Sequence, residues 1–354
     1  MKVKFGGREI GDGEPCFITF EAGATHDGYE TASALVKAAA EGGGDAVKFQ
    51  MIDPDRLVAD KSNIYTYKIL ADRRTGATGT ISEPQYDILR RRALLPDDWR
   101  KLKAQADDLG LAFFVTVFWE DEVDLAAELG CHSLKIAGGD VNNHPLIRYA
   151  ARSGLSVQLD TGNADLGEIE AAVDVILSEG NDKIIIHQCP SGYPARLESV
   201  NLRIIQTLKQ MFPFPAAFSD HSPGFEMDVA AVAMGANMVE KTITLDRATP
   251  SVEHIMSLEP HEMKDFVKTI RDVETALGSP RRTFTDAEQA TRHQFRRCAY
   301  LESEVKSGRK LSEAKVVFRR PGDGIGGDLY ETLLGQEFSD DFPAGHKLSL
   351  SDFV

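Results

Sequence analysis

Eight short runs rich in β-branched and aromatic residues recur along the first 245 positions, separated by longer stretches of helical periodicity. The runs are Phe17–Gly23, Asp45–Gln50, Ala112–Phe118, Ser133–Ala137, Ser156–Thr161, Lys183–Gln188, Pro215–Asp220 and Met238–Thr244. Helical patterns cover Thr31–Glu41, Pro96–Leu109, Glu120–Leu129, His144–Ser153, Leu166–Ser178, Val200–Met211, Glu226–Met234 and Pro260–Leu277. Several of these stop on glycine, at Gly42–Gly44, Gly110 and Gly130, and Asn143 is placed to cap the helix that starts at His144. Strand–helix alternation of this kind predicts an α/β chain folded as a (β/α)8 TIM barrel. Active sites of such barrels gather where the strands end, because the βα loops converge there.

One connection breaks the rhythm. Residues 51–95 separate a strand from the next helix, where about 2–6 residues normally suffice. An excursion of that length over the carboxyl ends of the strands is expected to be a lid or a substrate wall; the alternative is an inserted structural hairpin. The eighth helical pattern ends at Gly278–Pro280. The expected organisation is a barrel domain over 1–280, a polar linker over 281–297 and a small, glycine-punctuated, mainly β domain over 298–354. A domain that small has a thin core.

Composition narrows the class of partner. A formal charge of −15 argues against nucleic acid or an anionic membrane, so basic residues at strand ends stand out. Cys16, Cys131, Cys189 and Cys298 match no metal or redox spacing, as expected for reduced thiols in a cytoplasmic enzyme. Neither a signal-peptide core near Met1–Ile10 nor a long apolar run is visible.

Strand ends carry the candidate chemistry. In Val47-Lys48-Phe49-Gln50, alternation puts Lys48 and Gln50 on one face. A lysine turned into a barrel needs an anionic ligand or a carboxylate partner such as Glu21. Lys135 repeats the pattern, and two inward lysines suggest a doubly charged ligand, with Gly138-Gly139 able to bring backbone N–H groups close. His221 follows Ser219-Asp220, and with Glu21 at another strand end it forms a candidate metal or acid–base site. No Gly-x-Ser-x-Gly elbow surrounds Ser219, which excludes a hydrolase triad.

These stretches resemble the sialic acid synthase family. The matching segments are Glu21–Gly28, Asp45–Gln50, Lys135–Asp140 with Asn142–Ile147, Thr161-Gly162, Tyr193-Pro194, Ser219–His221, Glu240–Arg247 and His254 with Ser257–Pro260. Arg319–Gly322 with Gly324-Ile325 look like the antifreeze-like domain that closes that family. The resemblance implies a cytoplasmic homodimer with swapped C-terminal domains, acting in surface polysaccharide biosynthesis. Its reaction condenses phosphoenolpyruvate with an N-acetylated amino-sugar aldehyde and releases phosphate by C–O cleavage. It further implies that Lys48, Thr116, Lys135, Ser191 and Ser219 hold phosphoenolpyruvate. Gln50, Asn63, Asp140, Tyr193, Glu253 and the partner chain's copy of Arg320 would face the sugar. Glu21, Lys48, Lys135 and His221 would be catalytic, with Glu21 and His221 weakly holding Mn or Mg. Three positions depart from the family pattern: Thr242 stands where a second metal-binding histidine is expected, Asp160 replaces a serine, and Gly138 replaces another. These departures leave two alternatives, a Schiff-base aldolase using Lys135 and a non-catalytic sugar-binding descendant.

Overall fold

Each of the eight expected runs contains one strand of a closed parallel barrel, in the computed structural model that describes residues 1–354. In chain order the first unit, Met1–Gly278, holds β1 (Val3–Phe5), β2 (Arg8–Ile10), β3 (Phe17–Glu21), α1 (Tyr29–Gly42), β4 (Ala46–Gln50), α2 (Pro54–Leu57), β5 (Ile64–Asp72), β6 (Ala77–Pro84) and α3 (Gln85–Arg91). It continues with α4 (Pro96–Asp108), β7 (Ala112–Val117), α5 (Glu120–Glu128), β8 (Ser133–Ile136), α6 (His144–Arg152), β9 (Ser156–Asp160), α7 (Leu166–Ser178) and β10 (Ile184–Gln188). The remainder are α8 (Leu197–Val200), α9 (Ile204–Met211), β11 (Ala216–Asp220), α10 (Glu226–Ala233), β12 (Met238–Thr242) and α11 (Pro260–Leu277). The barrel runs β3-β4-β7-β8-β9-β10-β11-β12 and closes through β12 onto β3, where Thr242 lies opposite Glu21. Strands such as β7 and β11 are buried along their whole length, as expected when helices cover one face and the barrel interior the other.

Apolar side chains divide between two layers. Phe20, Phe49, Phe113, Phe218, Met263 and Phe266 belong to the layer between strands and helices. At the other end, Phe5, Phe17, Phe114, Ile185 and Met238 form a separate cluster at the floor of the barrel. The β1–β2 hairpin supplies its plug, with the Phe5 ring edge-on to Phe17 at 4.9 Å and to Phe114 at 5.2 Å. Asp45 ties floor to wall, accepting from the Ile18 N–H at 2.8 Å and Arg271 of α11 at 3.0 Å, and pairing with Arg8 of β2.

Caps follow the sequence expectation in part. Asn143 accepts the Leu146 N–H at 3.4 Å, and Asp165 and Glu168 form a capping box on α7. The helix expected over Val200–Met211 begins only at Ile204, and Asn201, left-handed at φ 46°, separates it from the short α8 that ends at Val200. Residues 51–95 fold as an antiparallel hairpin, β5–β6, flanked by α2 and α3 and anchored by a small cluster of Tyr67, Ile88 and Val252.

The second unit, Ser279–Val354, has a core of its own around Ala299, Leu301, Leu311, Phe338 and Leu348. It contains α12 (Asp286–Phe295), β13 (Cys298–Leu301), β14 (Val316–Arg319), paired antiparallel with β13, and α13 (Gly327–Thr332). Part of the stretch expected as a polar linker is therefore helical, started by a Thr285–Glu288 capping box that its charged composition concealed. All four cysteines are free, and no helix is long and apolar enough to cross a membrane.

Phe5 is 1% exposed, so Phe5→Ala should open a cavity in the floor cluster and cost about 3–5 kcal/mol. Chemical denaturation checks this, and a loss below about 1 kcal/mol would mean that the hairpin is dispensable to the barrel.

Candidate active site

A cavity of about 160 Å³ opens among the carboxyl ends of the barrel strands. Glu21, Lys48, Gln50, Thr116, Lys135, Ser191, Tyr193, His221 and Glu253 all line it, so residues spread over more than 230 positions meet in one place. Strand alternation explains the convergence: Lys48 and Gln50 of β4, Lys135 of β8 and Glu240 of β12 project inward.

The floor is a chain of buried charges. Lys135 Nζ lies 2.9 Å from Asp160 Oδ2, 2.8 and 2.9 Å from the two Glu240 oxygens, and 2.8 Å from Ser219 Oγ. Lys48 pairs with Glu21 and lies 3.2 Å from Glu240, while Gln50 donates to Glu21 at 3.4 Å. Burial works against every one of these charges. For Lys135 the Asp160 and Glu240 carboxylates outweigh it and hold the pKa above the usual lysine range. For Asp160 and Glu240 the lysines outweigh it and hold both below the carboxylate range. Glu21 moves the other way: burial and the neighbouring Glu240 raise it despite Lys48.

Two inward lysines suggested a doubly charged ligand. Three carboxylates, Glu21, Asp160 and Glu240, already face the two ammonium groups, so an entering anion competes with protein carboxylates. Asp160 and Gly138 are also linked sterically. A Cβ at position 138 would lie 2.2 Å from the Gly162 carbonyl oxygen, and Asp160 Oδ1 accepts the Gly162 N–H at 3.0 Å. The loop after β9 therefore occupies the space a residue-138 side chain would need.

Several expected site residues stand elsewhere. Ser219 does not line the cavity; its hydroxyl lies between Lys135 and His187 Nδ1 (2.9 Å), whose Nε2 contacts Gln158 at 2.8 Å. It braces Lys135 from below. Asn63 is exposed at the foot of the β5–β6 hairpin and donates to Gln85 at 3.3 Å, and no residue of 51–95 lines the cavity. The hairpin therefore does not line this cavity. Asp140 sits in the turn after β8 and accepts from Asn143 at 3.2 Å, outside the lining. Arg320 belongs to the second unit, where it is exposed and donates to the Phe295 carbonyl at 2.9 Å.

The donor set for a cation is spare. His221 Nδ1 contacts the Pro190 carbonyl at 3.2 Å, which leaves Nε2; Thr242 is buried and outside the lining. Glu21 and His221 share the cavity, which suits a weak site completed by ligand oxygens rather than a closed protein cage. The cluster Glu259, His261 and Glu262, with ligand atoms within 4.8 Å of one another, lies away from the cavity lining.

Residue-by-residue reading missed Glu240, although its alternation with outward Lys241 was visible in Met238–Thr242. It also missed Arg92, 3.7 Å from Glu253, because no periodic signal marks a loop residue. Lys241 faces the helix layer, pairing with Asp220, donating to the Ser222 carbonyl at 2.6 Å and lying 3.7 Å from Asp228 of α10. That grip fixes the loop carrying His221.

A parallel (β/α)8 barrel with lysines and carboxylates converging at its strand ends defines a barrel enzyme. Residues 35–282 match the NeuB family, and the chain belongs to that family. It is 36% identical over 343 residues to an N,N'-diacetyllegionaminic acid synthase of Legionella pneumophila, covering 96% of this chain and 94% of that one. A pseudaminic acid synthase of Campylobacter jejuni is 31% identical over 341 residues, covering 95% and 96%. Among solved structures, the N-acetylneuraminic acid (sialic acid) synthetase of Leptospira borgpetersenii, in complex with citrate, superposes with a TM-score of 0.71 at 30% identity, over 82% of this chain and 94% of that one. The expected family resemblance to sialic acid synthases therefore holds.

Burial pushes Glu253 up to about 7 from an ordinary 4.5, with Arg92 offsetting part of the effect. The folded protein then binds this proton more tightly than the unfolded chain. Its contribution is fully present below pH 4.5 and lost as pH rises through about 7. Stability should fall by on the order of 3 kcal/mol across that window, at about 1.4 kcal/mol per tenfold change in proton affinity. Glu122, raised to about 7 by burial, falls in the same window, so denaturation at several pH values should show Glu253→Gln with a smaller fall than the parent; an identical slope in both proteins would assign the fall to other groups.

Proposed function

We propose that the chain is a nonulosonic acid synthase that condenses phosphoenolpyruvate with an N-acetylated amino-sugar aldehyde. The observation that carries this reading is the pairing of Lys48 and Lys135 on the floor of one strand-end cavity in a chain of this family. Phosphoenolpyruvate brings a phosphate and a carboxylate, and the two ammonium groups with Thr116 and Ser191 would hold it by charge-assisted hydrogen bonds. C3 of the enol ether would form the new bond to the aldehyde carbon, water would add at C2, and phosphate would depart with the bridging oxygen. Glu21, raised by burial and turned toward Lys48, is suited to receive the proton of that water. Gln50, Tyr193 and Glu253, on the wall of the same cavity, would face the sugar. A divalent cation held by Glu21 and the free nitrogen of His221 would polarise the aldehyde as a Lewis acid.

A Schiff-base aldolase fits less well. Its lysine must be a neutral amine, whereas Asp160 and Glu240 hold Lys135 protonated.

The test is direct. Phosphoenolpyruvate labelled with 18O at the bridging position, incubated with N-acetylmannosamine or a diacetamido hexose, should deliver its label to released phosphate alongside a nine-carbon keto acid. Label retained in the organic product, or no turnover with any such aldehyde, would sink the proposal. Lys48→Ala and Lys135→Ala should each weaken phosphoenolpyruvate binding by about 1.5–3 kcal/mol in titration calorimetry. Asp160→Ser should instead tighten it, because it removes the carboxylate that competes for Lys135.

Thr242→His offers a readout that does not depend on activity. Thr242 shares the inward face of β12 with Glu240, so an imidazole there should add a ligand and raise Mn affinity about tenfold. Unchanged Mn binding would detach position 242 from any metal site. For assembly, we propose a homodimer in which Arg320 of one copy completes the sugar site of the other. Mixing Arg320→Ala with Lys135→Ala chains should restore part of the activity, and no restoration would mean that each chain is self-sufficient.

A further inference from the structure

A second cavity, of about 430 Å³, lies behind the barrel mouth, between the β5–β6 hairpin, the loop after β3 and the loop after β12. Its wall includes His26, Arg92 and His254, none of which the proposed condensation uses. His26 is 3% exposed, yet neither of its ring nitrogens has a hydrogen-bond partner. Buried polar groups are ordinarily paired, so an unpartnered imidazole beside a cavity is an exception that calls for a partner. His254 contacts Thr244 Oγ1 through Nδ1 at 2.8 Å, which leaves Nε2. Arg92 is buried, with one hydrogen bond to the Val252 carbonyl at 3.2 Å and the Glu253 carboxylate 3.7 Å away. Its five N–H donors are far from satisfied by these two neighbours. Between them, Glu253 is held at φ 75°, a conformation rare outside glycine, so the segment that Arg92 grips is strained into place.

The chemistry of the wall selects the ligand. Burial, and then Arg92, hold both imidazoles neutral with pKa values down at about 4. Neutral imidazoles could take a metal ion, but a buried guanidinium acting on both disfavours a cation. Arg92 offers several N–H groups to an oxyanion and each neutral imidazole one, His254 through Nε2 when its Nδ1 accepts from the Thr244 hydroxyl. The carboxylates of the cavity have partners of their own: Glu83 binds Arg91 and Tyr67, Asp246 binds Arg73, and Asp27 accepts from Thr31 at 2.6 Å. Their remaining lone pairs can accept hydroxyl groups.

We propose that this cavity is a second binding site, for a small polyhydroxylated carboxylate whose carboxylate meets Arg92, His26 and His254 and whose hydroxyl groups meet Asp27 and Asp246. The wall between the two cavities is Arg92 against Glu253, so the second site is distinct from the barrel mouth but adjoins it.

Histidine labelled with 13C at Cε1 in the full chain gives nine reporters, assignable by single substitutions. Titration with D-gluconate should shift the His26 and His254 signals saturably, and equally in the Lys135→Ala protein, whose barrel-mouth site is impaired. D-sorbitol, which lacks the carboxylate, should leave them unmoved. Arg92→Lys should weaken gluconate binding about tenfold, the effect of one lost charge-assisted contact. If that variant does not fold, His26→Phe keeps an aromatic side chain without either nitrogen, and the same loss is expected. No saturable shift at either histidine would mean that water alone fills the cavity. Equal shifts with sorbitol, or shifts caused by Zn or Mn instead, would likewise overturn the proposal.

Discussion

The barrel mouth depends on one buried chain of alternating charge, Asp160–Lys135–Glu240–Lys48–Glu21. Removing any one member strands its neighbour in a low-dielectric interior, where an unpaired charge is far more costly than the pair is favourable. The chain therefore fixes rotamers on β3, β4, β8, β9 and β12 together. That is a strong form of preorganisation, since the groups facing a ligand cannot relax independently. It also sets the difficulty of the site: ligand anions bind by exchanging partners with the protein, not by filling an empty cationic hole.

Much of this was legible in the residues. Period-two alternation and flanking glycines located all eight barrel strands, and inward Lys48, Gln50 and Lys135 followed from the same rule. The sequence also exposed Asp160 and Gly138 as unusual. That the two meet through Gly162 has no trace in the sequence, since only the approach of the Gly162 carbonyl to position 138 and the Gly162 N–H to Asp160 connects them. Contacts between loops of different strands have no periodicity to read.

The differences in placement have the same origin. Residues 51–95 look like a lid because of their length, whereas the hairpin's own pairing and the Tyr67–Ile88–Val252 cluster set it beside the second cavity and off the barrel-mouth lining. Asn63, at the foot of that hairpin, lies outside the barrel-mouth lining. Ser219 lies on the correct face of β11 yet one layer too deep, and depth along a strand is invisible without the barrel's stagger. The stretch 286–295 was hidden by its charge, although Thr285 and Glu288 spelled a helix start.

β12 carries information on both of its faces. Glu240 serves the ligand-side charge chain, while Lys241, one residue on, serves a different cluster with Asp220 and Asp228 among the helices. Burial and Asp220 raise the Asp228 carboxyl well above its usual range, while Lys241 outweighs burial at Asp220 and lowers it, so the two acids are not equivalent partners of Lys241. A slip of β12 by a single position would thrust a lysine among Lys48 and Lys135 and a glutamate against Asp220 and Asp228. Both errors raise like charge inside a dry interior, so the strand acts as a two-sided key that fits in only one alignment. The length and phase of this strand are thus held by electrostatics on both faces at once.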